Sequence, residues 1–238
     1  DLNTTGLASI DQEKRDRIES NHTCTHLLNL ALRSTLGDDV QQKGSLVAAD
    51  RLRFDFSSRS APTSEQLATV ENDVRAAIAS GMDVHAADMP LDSAMKITGV
   101  RAVFGERYPD PVRVVSIGAA SADLVERPED PEWMNHSIEF CGGTHLENTS
   151  RAEDFLLIQE QGLAAGVRRV SALTGTAARE AVERGEQLSA DVTEASSCED
   201  LELANRIDVL AKRADEETLG LLAREQIKHT LESLRSRV

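Results

Sequence analysis

The sequence predicts an α+β fold, a mixed, largely antiparallel sheet packed against helices and followed by a helical extension. Three observations predict it. Residues 51–56 alternate, with Leu52, Phe54 and Phe56 on one side and Arg51, Arg53 and Asp55 on the other, the period-two pattern of a strand with one buried face. Residues 63–78 place Leu67, Val70, Val74, Ala77 and Ile78 at helical spacing, behind a Thr63/Gln66 pair at capping-box distance. Beyond Thr176 the chain turns to helix formers, with Leu203, Ile207, Leu210, Ala214 and Leu221 in a three/four rhythm that resumes at Ile227, Leu231, Leu234 and Val238.

The remaining elements follow in order. Residues 1–20 are polar and weakly patterned, a lead-in to an apolar-rich helix capped at Ser20 or Asn21 and ended at Gly37. Residues 42–56 read as a hairpin, with Ser45–Ala48 as one arm, Ala49-Asp50 as the turn and Arg51–Phe56 as the other arm. Gly81 ends the second helix, and a short strand follows over Met82–Ala86. Leu91–Phe104 reads as one short helix or two broken at Gly99, and the β-branched Val112–Ile117 as a buried strand. The acidic, proline-bearing stretch Ala122–Asn135 reads as an exposed loop. Ser137–Phe140, Phe155–Glu160 and Val167–Leu173 are further strands, the last two joined by a turn at Gly162–Gly166. We expect two units, residues 1–175 and residues 176–238. The heptad-like seam of the second suits a helical hairpin or coiled coil on a partner, dimerisation through 200–238 included, or a helix packed on its own domain.

Composition excludes several classes. A hydrophobic fraction of 40% over 238 residues supports a core, and with aromatics at 3% the aliphatic residues must fill it. No apolar run approaches the ~18 residues of a membrane span, and nothing reads as a signal peptide. The chain does not begin with Met, which suits a piece of a longer protein. Three scattered cysteines are no disulfide framework and suit a reducing compartment. The net charge of −15 argues against indiscriminate phosphate binding, yet residues 1–59 are nearly neutral, with nine acids against eight bases.

Chemistry concentrates in two short motifs. In Asn21-His22-Thr23-Cys24-Thr25-His26 the two histidines stand four apart, on one helical face with Asn29 and Arg33. Cys141-Gly142-Gly143-Thr144-His145 follows a strand directly, and its glycines allow positive φ and close approach to a bound group. Together they offer three imidazoles and one thiolate, a reasonable tetrahedral zinc shell with one Zn2+ per chain. A zincin helix would need Glu after the first His, where Thr23 stands. Cys24 lies on the opposite side of the helix and is assigned to packing, while His85, His136 and His229 lack partner spacing.

These motifs, with Gln42-Lys43-Gly44-Ser45-Leu46-Val47, Leu52-Arg53-Phe54-Asp55-Phe56, Phe104-Gly105-Glu106-Arg107-Tyr108 and Ala165-Gly166-Val167-Arg168-Arg169-Val170, resemble the editing domain of alanyl-tRNA synthetase. The blocks stand in the family's order over most of residues 20–175, and the acidic stretch before Ser137 is similar to the eukaryotic type. The tail from Thr176 is similar to the helical segment that follows that domain. The resemblance implies hydrolysis of the ester in tRNA(Ala) mischarged with serine or glycine, an aminoacyl-tRNA deacylase within an alanine–tRNA ligase. A pocket built for alanine cannot strongly reject either residue, so a second site is needed. It also implies roles: Thr25 and Gln42 for serine recognition and editing, with Ser45 at the pocket wall. Lys43, Arg168 and Arg169 are the expected phosphate contacts, ahead of Arg51, Arg53 and Arg107, although the Arg pair also suits pairing with nearby acids. Expected partners are the tRNA(Ala) acceptor end and the remaining synthetase domains, with no membrane, in the cytoplasm or a mitochondrial counterpart. No aminoacylation motif is present. The related domain of threonyl-tRNA synthetases and a non-catalytic, zinc-stabilised tRNA-binding module are the alternatives.

Overall fold

The computed structural model describes residues 9–103 and 106–237, so residues 1–8 of the lead-in and the Phe104-Gly105 pair lie outside the described residues. The first helix, α1, spans Gln12–Leu36 and begins well before the expected cap. Asp11 is the N-cap, its side chain accepting from the Lys14 N–H, and Gly37 closes the helix at φ 106°. The polar residues 12–20 had masked this start, because their face is largely solvated. From Ser20 to Arg33 the helix is enclosed on nearly every side, so its polar residues need internal partners.

The hairpin forms as β1 (Gln42–Val47) and β2 (Leu52–Ser57), with the Ala48 N–H donating to Arg51 O across the turn. Leu52, Phe54 and Phe56 are fully buried, as the alternation predicts. Asp55, on the outward side, is buried too, because arginines cover it. α2 (Ser64–Ala79) carries the Thr63/Gln66 capping box and buries Leu67, Val70, Val74 and Ile78. The next strand, β3, runs Val84–Met89. Of the helix expected over Leu91–Phe104, Leu91–Ala94 (α3) alone is helical among the described residues, and Gly99 turns the chain at φ 76°.

β4 (Val112–Ile117) and β5 (Ser137–Phe140) fall where the sequence puts them. Between them, the expected loop contains α4 (Ser121–Glu126) and a 3-10 turn at Pro131–Asn135. Leu124 and Trp133 anchor these under the sheet, two apolar side chains outweighed in the pattern by the surrounding acids. β6 (Phe155–Ala164) continues four residues beyond its expected end and pairs with β7 (Val167–Thr174), leaving a tight turn at Gly166 (φ 72°). Three helices follow: α5 (Gly175–Ala195), α6 (Asp200–Glu216) and α7 (Leu221–Arg235).

All strand pairs among the described residues are antiparallel, in one sheet ordered β1-β2-β7-β6 and a second ordered β3-β4-β5. A parallel bridge of Arg101 to Glu139 adds to the edge of the second. The main core lies between α1, α2 and the four-stranded sheet, with Leu28, Leu32, Val70, Phe54, Phe155 and Val170 at its centre. The last three helices enclose a core of their own around Leu188, Leu203, Ile207 and Leu231. Arg224 of α7 ties them to β6 by donating to Ile158 O at 3.1 Å. No described helix is long and apolar enough to cross a membrane.

Candidate metal centre

α1 carries its histidine face to the turn that follows β5. There the ligand atoms of His22, His26, Cys141 and His145 all lie within 4.8 Å of one another, a group able to hold a metal ion. Cys141 Sγ is 3.4 Å from His22 Nε2 and 3.4 Å from His145 Nε2. The His22 and His145 rings stack with centroids 4.0 Å apart, and His26 meets the His145 ring edgewise at 4.5 Å. Two of the rings are held by their other nitrogen. His22 Nδ1 lies 3.1 Å from Thr144 O, and His145 Nδ1 lies 3.4 Å from Thr23 Oγ1, which also accepts from the Leu146 N–H at 3.0 Å. His26 is buried, and its Nδ1 has no hydrogen-bond partner.

The turn is shaped from below. Arg113 of β4 donates through Nη1 to Cys141 O at 2.9 Å and to Gly143 O at 2.7 Å. Neither Gly142 nor Gly143 adopts positive φ, contrary to one expectation. Gly143 serves close approach instead: a Cβ there would stand 2.2 Å from His22 Cε1, whereas a Cβ at Gly142 would meet nothing within 4 Å. Burial holds the histidines neutral. His22 and His26 are each pushed down to about 4, chiefly by desolvation and further by His26 and Arg113 respectively, and His145 is lowered for the same leading reason. Desolvation raises the Cys141 thiol, partly offset by the Gly143 backbone. A cation in the cluster would reverse that shift, since a coordinating thiol is deprotonated.

Next to the cluster stands Glu139, with Oε1 accepting from Asn29 Nδ2 at 2.9 Å and Oε2 3.8 Å from His26 Nε2. Burial raises its carboxyl to about 7, opposed mainly by the Asn29 hydrogen bond. Thr23, Arg113 and Glu139 were not singled out from the sequence. Thr23 follows His22 within the first motif and Glu139 stands two residues before Cys141, but nothing in a linear pattern marks Arg113 apart from other polar strand positions.

The other expected residues are dispersed around this centre. Thr25 is buried in α1, and its hydroxyl donates to Asn21 O at 2.8 Å. Gln42 lines a pocket with Asn29 and Glu139, and its Nε2 donates to Ser45 Oγ at 3.1 Å. Thr25 is not among that pocket's lining residues. Cys24 is fully buried in the main core. Lys43 is exposed and has no ion pair among the described residues. Arg168 grips Glu160 with two bonds of 2.5 and 2.6 Å, and Arg169 grips Asp55 with two of 2.7 and 2.8 Å. Arg53 approaches the same Asp55, and Arg51 approaches Asp50.

Residues 112–171, from β4 into β7, match the family model described as the threonyl and alanyl tRNA synthetase second additional domain. The chain is 45% identical over 228 residues, 96% of its length, to the cytoplasmic alanine–tRNA ligase of Dictyostelium discoideum, of which it covers 24%. Over most of its length the chain is homologous to alanyl-tRNA synthetases, and its residues 112–171 match a domain described for threonyl and alanyl enzymes alike. It is also 50% identical over 186 residues to the mitochondrial alanine–tRNA ligase of Saccharomyces cerevisiae, covering 78% of this chain and 19% of that protein. The alanine–tRNA ligase of Schizosaccharomyces pombe is 46% identical over 177 residues, covering 74% of this chain and 18% of that protein. The chain thus spans 18–24% of the length of these synthetases, and its relatives include cytoplasmic and mitochondrial forms.

Proposed function

We propose that the chain is the proofreading portion of an alanyl-tRNA synthetase, hydrolysing the aminoacyl ester of tRNA(Ala) mischarged with serine or glycine. The observation that carries it is the convergence of His22, His26, Cys141 and His145 in a chain homologous to alanine–tRNA ligases. Zinc fits the donor set. Zn–S of about 2.3 Å and Zn–N of about 2.0–2.1 Å at a tetrahedral centre separate sulfur from nitrogen by roughly 3.5 Å. The two Cys141–His separations of 3.4 Å meet that, and the unpartnered His26 Nδ1 belongs to a ring that otherwise lacks a strong partner. When bound, zinc supplies a positive charge beside the ester and a rigid frame for the four ligands.

This chain's own residues do the rest. Thr144 O, an acceptor only, draws the His22 proton to Nδ1 and leaves its Nε2 toward the cluster, and Thr23 Oγ1 orients His145 through Nδ1. Arg113 fixes the turn that carries Cys141 and His145. Gln42 donates to Ser45 and keeps its side-chain carbonyl available to accept from the serine hydroxyl of the substrate. Thr25, whose one proton is given to Asn21 O, can act toward that hydroxyl as an acceptor. Lys43 is the free cation among the three expected phosphate contacts, Arg168 and Arg169 being held by carboxylates. The tRNA(Ala) acceptor end and the other synthetase domains are the partners, and the setting is the cytoplasm or the mitochondrion.

One observation favours the non-catalytic reading, a zinc-stabilised tRNA-binding module: the Thr25 hydroxyl is committed to a helix carbonyl. Deacylation of Ser-tRNA(Ala), Gly-tRNA(Ala) and Ala-tRNA(Ala) by the zinc-loaded chain separates the two. Faster loss of the seryl and glycyl esters than of the alanyl ester is expected. Loss of the seryl ester at the spontaneous rate would leave only the binding module.

A further inference from the structure

The face of α1 that begins with His22 and His26 continues through Asn29 to Arg33, and its far end is a buried guanidinium. Arg33 is 6% exposed, and both Nε and Nη1 lack any hydrogen-bond partner among the described residues. Leaving a guanidinium buried and unpaired is costly, far more so than leaving it in water. Arg33 lines a pocket shared with Asn29, Gln42, Arg101, Glu139 and Phe140. Arg101 brings a second guanidinium, held in place by its backbone, whose N–H donates to Ile138 O at 2.8 Å and whose carbonyl accepts from the Phe140 N–H. Its own Nε is buried without a partner among the described residues, Asp38 stands 3.9 Å from Nη2, and the charge of Glu139 partly offsets the burial that lowers its pKa. The one acid lining the pocket, Glu139, is turned to Asn29 and His26.

We propose that this pocket is an anion seat in which Arg33 and Arg101 hold a phosphate group. Planar guanidinium donors match phosphate oxygens better than any other side chain. The position identifies the source as a strand of nucleic acid. Arg33 follows His26 by seven residues, about 10 Å along the helix axis, and helical side chains lean back toward the N-terminus. A backbone phosphate in the seat would therefore set the adjoining 3′ end toward the histidine–cysteine cluster, with Gln42 in the wall of the same pocket. The assignment to an RNA 3′ end rests on the proofreading reading; the existence of the anion seat does not.

The test uses the full chain, loaded with zinc, and a short fluorescent RNA ending in an unesterified 3′ hydroxyl. A second RNA carries a neutral methylphosphonate in place of its last internucleotide phosphate. Arg33→Met keeps most of the stem and removes the charge, while Arg33→Lys restores a cation. Wild type is expected to bind the phosphodiester RNA about tenfold more tightly than the methylphosphonate RNA. Arg33→Met should lose the same factor on the first RNA and nothing more on the second, with Arg33→Lys recovering part of it. Equal affinity of wild type for both RNAs would overturn the RNA assignment, a result that does not depend on any variant folding. Inorganic phosphate supplies the second arm. Protection of the Arg33 and Arg101 Nε–H signals in the NMR spectrum by inorganic phosphate, without an effect of the methylphosphonate, would show a seat for free phosphate instead. Absence of both effects would overturn the anion seat altogether. Because no ester is present, a chain that fails to deacylate but shows the phosphate-dependent binding would sink the proofreading reading and leave the seat standing.

Discussion

Replacing Gly143 by alanine should dismantle the cluster from the outside. The added Cβ would stand 2.2 Å from His22 Cε1 and 2.7 Å from His22 Nδ1. Carbon atoms rest at about 3.5–4.0 Å, so the ring or the turn must move by more than ~1 Å. The turn cannot yield readily, because Arg113 holds the carbonyls of both Cys141 and Gly143. His22 therefore moves, and it also loses the Thr144 carbonyl that orients it. Metal–ligand distances tolerate only about ±0.2 Å, so the site drops to three protein ligands. Losing even an orienting partner costs about 10- to 100-fold in affinity, and losing a ligand should cost at least the upper figure. A hundredfold weaker site removes about 2.7 kcal/mol of zinc-linked stability at saturating metal. Gly142→Ala is the matched control, since nothing lies within 4 Å of its Cβ. Competition with a chromophoric chelator measures the affinities, and thermal unfolding with and without zinc measures the linkage. Wild-type zinc affinity in Gly143→Ala, or an equal loss in Gly142→Ala, would refute the packing argument.

Other outcomes follow from the same structure. Thr23→Val preserves shape but leaves the Leu146 N–H buried and unpaired, so urea unfolding should show a loss of about 1–3 kcal/mol; an unchanged midpoint and slope would contradict it. Glu71 is buried, accepts from the Leu157 N–H at 2.7 Å and has its carboxyl raised by desolvation above the ordinary 4.5. The folded state therefore holds the proton longer than the unfolded one, and stability should fall as pH rises from 4.5 through the raised value. Glu71→Gln should remove that slope; a pH profile parallel to wild type would contradict it. Lys43→Met should weaken tRNA binding and lower the magnitude of the salt-dependence slope by about one, while the carboxylate-held Arg168 and Arg169 contribute less. A larger slope change for Arg169→Met than for Lys43→Met would reverse that order.

What could be read from the sequence divides along physical lines. Local periodicity located β2 and α2, each with one strongly apolar face at an unambiguous spacing, and β4 stood out as a β-branched apolar run that is buried on both faces. It failed where polar and apolar signals compete over few residues. Leu124 and Trp133 turn an acidic stretch into two short anchored helical segments, and the solvated first two turns of α1 hid its true start at Asp11. The two histidine–cysteine motifs were visible because they place rare residue types at short, fixed spacing. Their supports were not, because a carbonyl staple such as Arg113 depends on which strand lies beneath the turn. Asp55 shows the same limit: alternation put it outward, and only the pairing of β2 with β7 brings Arg169 over it. The polar stripe His22, His26, Asn29 and Arg33 was evident as a stripe, while its burial awaited the enclosure of α1.

The most direct test of the central claim is the metal content of the purified chain, measured by mass spectrometry of the element alongside protein concentration. The account predicts about one zinc per chain in the wild type, and a fraction of that in His26→Ala and Cys141→Ala at matched concentration and pH. Full zinc content in either variant, with the chain still folded, would show that these four side chains are not the metal centre.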